Sequence, residues 1–244
     1  MYLKNQISRF LHKALTFKVI KKNFTQSELE AEGYVSQCGQ DKWVLESLFG
    51  HEKVGTFVDI GANDGVTFSN TFRLEKAGWN GIAIEPLPII YSRLKSNRSC
   101  ITVNGCIAPT SGVEHFRAIS GYSEMLSGLV KEYDSRHSER IKKELKHHGG
   151  EEEIIEVDCY NLNDLLADNS IKTVDYLSID VEGMELKILQ SIDFTRTEVK
   201  CIGVENNYSD YRIPRYLTNK GFIFHSIVGD DEFYVKPELI QAHN

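Results

Sequence analysis

Cysteine is scarce and unpaired in this chain: Cys38, Cys100, Cys106, Cys159 and Cys201 are odd in number and form no C-x-x-C pair. That pattern speaks against a disulfide framework or a zinc site. It favours a reducing, cytoplasmic setting in which thiols serve as small buried hydrophobes. Apolar runs long enough to span a bilayer are lacking, as are the h-region and small-residue cleavage site of a signal peptide. Internal repeats and low-complexity linkers are absent too. Basic residues are in deficit, 28 Lys and Arg against 35 Asp and Glu, which removes nucleic acid as the expected partner. What remains is 244 residues of ordinary globular composition, 41% hydrophobic and 26% charged, enough for one large domain with its own core.

The charge deficit reverses at the start of the chain. Residues 1–22 hold Lys4, Arg9, Lys13, Lys18, Lys21 and Lys22 and no acid. Leu3, Ile7, Phe10, Leu11, Ala14 and Leu15 suit one face of a helix. Such a helix docks on a partner protein or lies on an anionic membrane surface, at the inner face of a membrane. The competing expectation is a helix packed against its own domain. The expected organisation is a basic segment over 1–35 and one domain over 36–244.

From residue 56 onward, extended and helical stretches alternate, which predicts an α/β domain with a mostly parallel sheet. Strands are expected over 56–60, 81–85, 101–107, 113–119, 154–159, 173–179 and 199–204. Helices are expected over 69–77, 88–95, 162–167, 184–191 and 213–219. Residues 222–228 and 232–235, joined by Gly229-Asp230-Asp231, close the chain as an antiparallel hairpin. A densely charged insertion over about 131–153 breaks the rhythm and reads as a solvated helix and a mobile loop. Its His137, His147 and His148 are expected at the surface, because no acids or cysteines stand at ligand spacing on a stable element. The insertion could still cap a substrate pocket.

The decapeptide TFVDIGANDG, residues 56–65, carries the most information. A strand running through a glycine turn into a helix is the first unit of a nucleotide-binding α/β sheet. Gly61 permits the sharp turn, Ala62 lets a ligand approach the backbone, and the helix start is expected to offer unpaired N–H groups. The spacing lacks the third glycine of G-x-G-x-x-G and places Asp59 and Asp64 where a diphosphate would sit. Two acids repel a diphosphate and attract a sulfonium and an ammonium, which favours S-adenosylmethionine over NAD. An NAD-dependent sugar oxidoreductase on the same sheet stays open as an alternative. So does a non-catalytic Rossmann-like scaffold docking through its basic N-terminus.

Glu85 lies 24 residues after Gly61, where an acid accepts hydrogen bonds from both ribose hydroxyls. Asp180, Glu182 and Glu205 stand at the ends of later strands and would converge on the acceptor side. There they suit a general base for a hydroxyl proton, or a site for a divalent cation such as magnesium with Asp180 and Glu205 as its ligands. The plainer alternative is that they cap helices and pair with Lys187 or Arg212.

Together TFVDIGANDGVTFSNT, EKAGWNGIAIEP, VDYLSIDVEGMELKIL and IGVENN, with Ser36-Gln37-Cys38-Gly39-Gln40-Asp41 upstream, resemble the FkbM-type methyltransferase family over about residues 37–235. The resemblance implies a Rossmann-like class I methyltransferase fold with a doubly wound, mostly parallel seven-stranded sheet. It implies S-adenosylmethionine as cofactor and O-methylation of a sugar, glycoconjugate precursor or secondary metabolite, as in polysaccharide biosynthesis. Asp59, Gly61, Asn63 and Gly65 match its cofactor loop and Glu85 its ribose acid. Cys106 and Ile107 would flank the adenine, and Gln37, Gln40 and Asp41 would approach the cofactor from the N-terminal side. Asp180, Glu182 and Glu205 would face a small-molecule or glycan acceptor. The resemblance does not extend to residues 1–22 or to the 131–153 insertion.

Overall fold

The structure, a computed structural model, describes residues 20–22, 24–51, 53–132 and 135–241. The amphipathic face expected over residues 3–15 lies outside them. Ahead of the first expected strand stand β1 (Ile20–Lys22), α1 (Gln26–Glu32) and α2 (Gln40–Lys42), the last continuing as a π-helix over Trp43–Phe49. Thr25 and Glu28 cap α1 reciprocally, and Gly33 ends it in the left-handed conformation. Leu29 and Tyr34, within the segment 1–35, are buried with Trp43 and Trp79 against the sheet.

The elements that follow are β2 (Thr56–Ile60), α3 (Phe72–Lys76), β3 (Asn80–Glu85), α4 (Pro88–Asn97) and β4 (Ile101–Asn104). Next come β5 (Cys106–Ile107), β6 (Gly112–Ile119), β7 (Gly128–Leu129), α5 (Ser135–His148), β8 (Glu152–Tyr160) and α6 (Leu162–Asp168). The chain ends with β9 (Thr173–Ile179), α7 (Glu185–Ser191), β10 (Glu198–Glu205), α8 (Arg212–Asn219), β11 (Ile223–Val228), β12 (Asp231–Val235) and α9 (Pro237–Gln241).

The main sheet has the order β1-β11-β12-β10-β9-β2-β3-β4, and β12 runs antiparallel to both neighbours while every other pair is parallel. Seven of these strands form the expected doubly wound sheet with its closing hairpin, and β1 adds a short edge. Side chains alternate between two cores. Val58, Ile60, Ile82, Ile84 and Ile202 pack on one face, and Phe57, Tyr176, Cys201 and Phe233 on the other. Strands covered on both faces read as continuous apolar runs, which explains how clearly β9 stands out in the sequence. Chain order reverses between β2 and β9, so the carboxyl ends of those strands open the ligand crevice.

A second sheet, β5-β8-β6-β7, was not expected. The single strand anticipated over 101–107 splits at Gly105 (φ 154°), where a Cβ would collide with the Asp158 carbonyl and the Tyr160 ring. The chain leaves the main sheet there, and Cys106 and Ile107 pair with Cys159 and Tyr160. The charged insertion is also less solvated than expected. Its helix α5 buries Ile141 against Ile119 and Leu126, with Leu145 beside them. His137 is 2% exposed, contrary to the surface placement expected, whereas His147 and His148 are exposed. The cause is spacing, since His137, Ile141 and Leu145 recur every four residues on one helix face. Among the described residues no helix is long and apolar enough to cross a membrane.

Arg98, just past α4, has a fully buried side chain. Its Nε donates to Glu75 (2.6 Å), Nη1 to the Gly65 carbonyl (3.2 Å) and Nη2 to the Thr71 hydroxyl (3.0 Å), while the guanidinium lies over Phe57 and Phe72. A buried cation is costly unless paired, and here the whole 65–71 loop is folded around one. Arg98→Ala is expected to destabilise the protein by about 3–5 kcal/mol, because Glu75 keeps its burial and loses its counter-charge. Denaturant unfolding checks this, and the double change Arg98→Met with Glu75→Gln should recover part of the loss.

Candidate functional site

At the end of β2 the chain turns at Gly61 (φ 89°), where any Cβ would collide with the Asp180 carbonyl at the end of β9. Every N–H in the turn is taken internally. Gly61 and Ala62 donate to the Ile84 carbonyl, Asn63 to Glu85, Asp64 to the Asn63 side chain and Gly65 to the Ala62 carbonyl. Val66 and Thr67 donate to the Asp64 carboxylate, which also accepts from the Thr67 hydroxyl. Burial works to raise Asp64, but these hydrogen bonds outweigh it and hold the carboxyl below its usual value. The expected helix start with open N–H groups is therefore a closed loop, and α3 begins only at Phe72. A diphosphate would find no free backbone N–H between Gly61 and Thr67.

A cavity of about 300 Å³ opens at this switch point. Gln37, Gln40, Asp59, Gly61, Asn63, Glu85, Cys106, Ile107, Asp180, Glu182 and Glu205 all line it. Asp41 and Gly65 do not. Asp41 is buried, accepting from the Ser36 hydroxyl and the Val35 and Lys42 N–H groups, and so it shapes the entry to α2. Gly65 (φ 80°) is required because Leu94 and Arg98 occupy the space a side chain would need.

On one side of the cavity, Asp59 is raised by burial, countered by the charge of Arg98 and hydrogen bonds from Thr71 (2.5 Å) and Ser178. Glu85 is pushed up to about 7 by burial, although its two oxygens accept from the N–H groups of Leu87 (2.8 Å) and Asn63 (3.1 Å). Each oxygen keeps acceptor capacity for a ligand hydroxyl. Gln40 donates to Asp231 (2.6 Å), whose carboxyl burial pushes up to about 7.

Asp180, Glu182 and Glu205, expected on the acceptor side, come from the ends of β9 and β10. Burial, and then the neighbouring charge of Glu205, drives Asp180 well above the usual carboxylate range, and a hydrogen bond links the two carboxyls. Glu182 is pushed up to about 8, first by burial and then by Glu205, with Arg140 opposing. It holds a left-handed backbone (φ 55°), rare for glutamate, within a loop secured by Glu185, which accepts from the Val181 and Gly183 N–H groups. Among the described residues no three His, Cys, Asp or Glu side chains are arranged to hold a metal ion.

Three contributions escaped sequence reasoning. Arg140 from α5 lines the cavity and lies 3.5 Å from Glu182. Residues 124–129, between β6 and α5, form one wall. His137 sits under the same glutamate, at 3.5 Å. The four-residue spacing of His137, Ile141 and Leu145 was the available signal for α5, but nothing local marks residues 124–129.

A family model described as the methyltransferase FkbM domain matches residues 59–224. No curated protein matches the chain. Solved structures similar to it include precorrin-6y C5,15-methyltransferase from Geobacter metallireducens (11% identity, TM-score 0.36, covering 90% of this chain and 92% of that one). A human methyltransferase 10 domain containing protein has 15% identity and TM-score 0.39, covering 81% of this chain and 79% of that one. The METTL16 methyltransferase domain has 12% identity and TM-score 0.40, covering 94% and 76%.

Glu85, Asp231 and Glu182 bind protons more tightly when folded than when unfolded, so stability falls as pH rises from the ordinary carboxylate range to about 8. The thermal unfolding midpoint should drop between about pH 5 and about pH 8. Glu182→Gln should flatten the upper part of that decline.

Proposed function

The chain belongs to the FkbM methyltransferase domain family, and from that membership we propose that it methylates a hydroxyl of a sugar, glycoconjugate precursor or secondary metabolite with S-adenosylmethionine as donor. One juxtaposition carries the reading. A single cavity joins a turn with no open backbone N–H groups to a separate set of buried acids around Glu182. The first suits a cationic nucleoside without phosphates, and the second suits removal of a hydroxyl proton.

The residues present fit that cofactor. Glu85 has acceptor capacity for the ribose hydroxyls, Cys106 and Ile107 offer apolar surface to the adenine, and Asp59 supplies negative charge for the sulfonium and ammonium. Bound there, the cofactor supplies an electrophilic methyl carbon. The protein aligns the acceptor oxygen with that carbon and takes its proton. Glu182 is the base: it lines the cavity beside Arg140, and its ionised form, which grows in as pH rises through about 8, takes the proton, while Asp180 is hydrogen-bonded to Glu205. The closed turn speaks against an NAD-dependent oxidoreductase, whose pyrophosphate needs N–H donors.

Calorimetry should find binding of S-adenosylhomocysteine and none of NAD, whereas a non-catalytic scaffold would bind neither. Glu85→Ala should weaken that binding about 10–100-fold, the usual loss for hydrogen bonds to a charged group. Glu182→Gln should leave it within about threefold and lower kcat about 10²–10⁴-fold. Transfer of labelled methyl to hydroxylated saccharides provides the assay. Turnover by Glu182→Gln at the wild-type rate would show that the base lies elsewhere.

A further inference from the structure

We infer that His137, brought to the site by α5, is a positioning residue that holds the Glu182 carboxyl and takes over the proton Glu182 removes from the acceptor. This rests on Glu182 being the base.

The imidazole is 2% exposed and lies between three elements. Its Nε2 is 3.1 Å from the Leu126 carbonyl, which can only accept, so Nε2 carries the hydrogen. In the neutral ring Nδ1 is then the acceptor, and it faces Glu182 Oε2 at 3.5 Å and the Tyr208 hydroxyl at 3.4 Å. A proton on Glu182 therefore has a basic nitrogen in front of it. Catalytic hydrogen bonds of this length commonly tighten when substrate arrives. Arg140 meets the same oxygen at 3.5 Å, which leaves Oε1 for the acceptor. Asp180, Glu185 and Glu205 are the acids around Glu182, and Glu182 itself is left anionic when its proton moves to His137, so the imidazolium forms beside a counter-charge.

During transfer the acceptor oxygen forms its bond to the methyl carbon. The sulfur–carbon bond breaks with its electron pair on sulfur, giving a neutral thioether. The hydroxyl proton passes to Glu182 and on to His137 Nδ1. The imidazolium returns it to Glu182 and so to solvent before the next turnover. Tyr208 donates to Nδ1 when the ring is neutral and accepts from it when the ring is charged. This is the familiar pairing of a base with a group that orients it, with imidazole in the supporting place.

His137→Gln and His137→Phe in the full chain test this. Both should keep S-adenosylhomocysteine affinity and acceptor KM within about threefold while kcat falls about tenfold or more, since a structural lesion would not spare binding. Wild-type kcat in both variants overturns the inference. Should neither fold, histidine-labelled ¹⁵N NMR of the wild type and Glu182→Gln decides. A hydrogen on Nε2, with an Nδ1 resonance that moves in Glu182→Gln, supports the pairing, and an unmoved Nδ1 overturns it. Loss of turnover in Glu182→Gln with full turnover in His137→Gln overturns only the role of His137. Full turnover in Glu182→Gln overturns the base assignment itself.

Discussion

One buried guanidinium organises the floor of the cavity. Arg98 binds the Gly65 carbonyl and the Thr71 hydroxyl, and Thr71 in turn donates to Asp59 at the end of β2. The chain of contacts runs from Glu75 on α3 to the carboxylate that faces the ligand. It explains why residues 69–71 still belong to the loop where a helix was expected, and why Gly65 admits no side chain. The cation also opposes the burial that raises Asp59. Removing Arg98 would therefore disturb fold and cavity electrostatics together, since buried charge networks do not divide into independent parts.

The acids around the cavity carry a second constraint. Carboxylates taken out of water must bind a proton, accept hydrogen bonds or meet a cation. Asp64 takes the hydrogen-bond route and ends up below its usual value, while Asp180 and Glu205 share a proton. Glu85 and Glu182 remain raised. A ligand with positive charge favours the ionised form of all of these, so its binding and proton release are linked. By the same linkage it should stabilise the protein more at the upper end of the pH range, where the unliganded acids are most costly.

Much of the fold could be read from residues because strands buried on both faces announce themselves. VDYLSID and TFVDI each end in an acid at a turn, and their neighbours in the sheet follow from alternation with helices. Where reading stopped, the cause was either a distant contact or the direction of a local hydrogen bond. Gly105 interrupts ITVNGCI, yet only the approach of Asp158 and Tyr160 reveals that the strand changes sheets there. Asp64 was read as ligand-facing charge, but it closes its own loop through Val66 and Thr67. Asp41 is likewise consumed by Ser36 and Val35. In each case an acid near the site was distinguishable from an acid in the site only by where its hydrogen bonds go. His137 differs, because its four-residue spacing to Ile141 and Leu145 was present and was outweighed by the surrounding charge.

In the proposed function, the helix that carries His137 serves only one half of the site, the one around Glu182. The cofactor side is built from β2, β3 and their turns, whose positions are fixed by sheet register and by glycines that cannot change. The acceptor side draws Arg140 and His137 from α5, while residues 124–129 wall the same cavity, with Glu124 close enough to Glu85 to act on its charge. That helix touches the body through a narrow face containing Ile141 and Leu145, and the rest of its surface is charged. Such an element can vary in length and composition without disturbing Asp59 or Glu85, because the strain of change falls on a peripheral interface. In the proposed function, acceptor selectivity thus falls on the part of the chain least constrained by the sheet. Methyl-donor binding stays with the part constrained most.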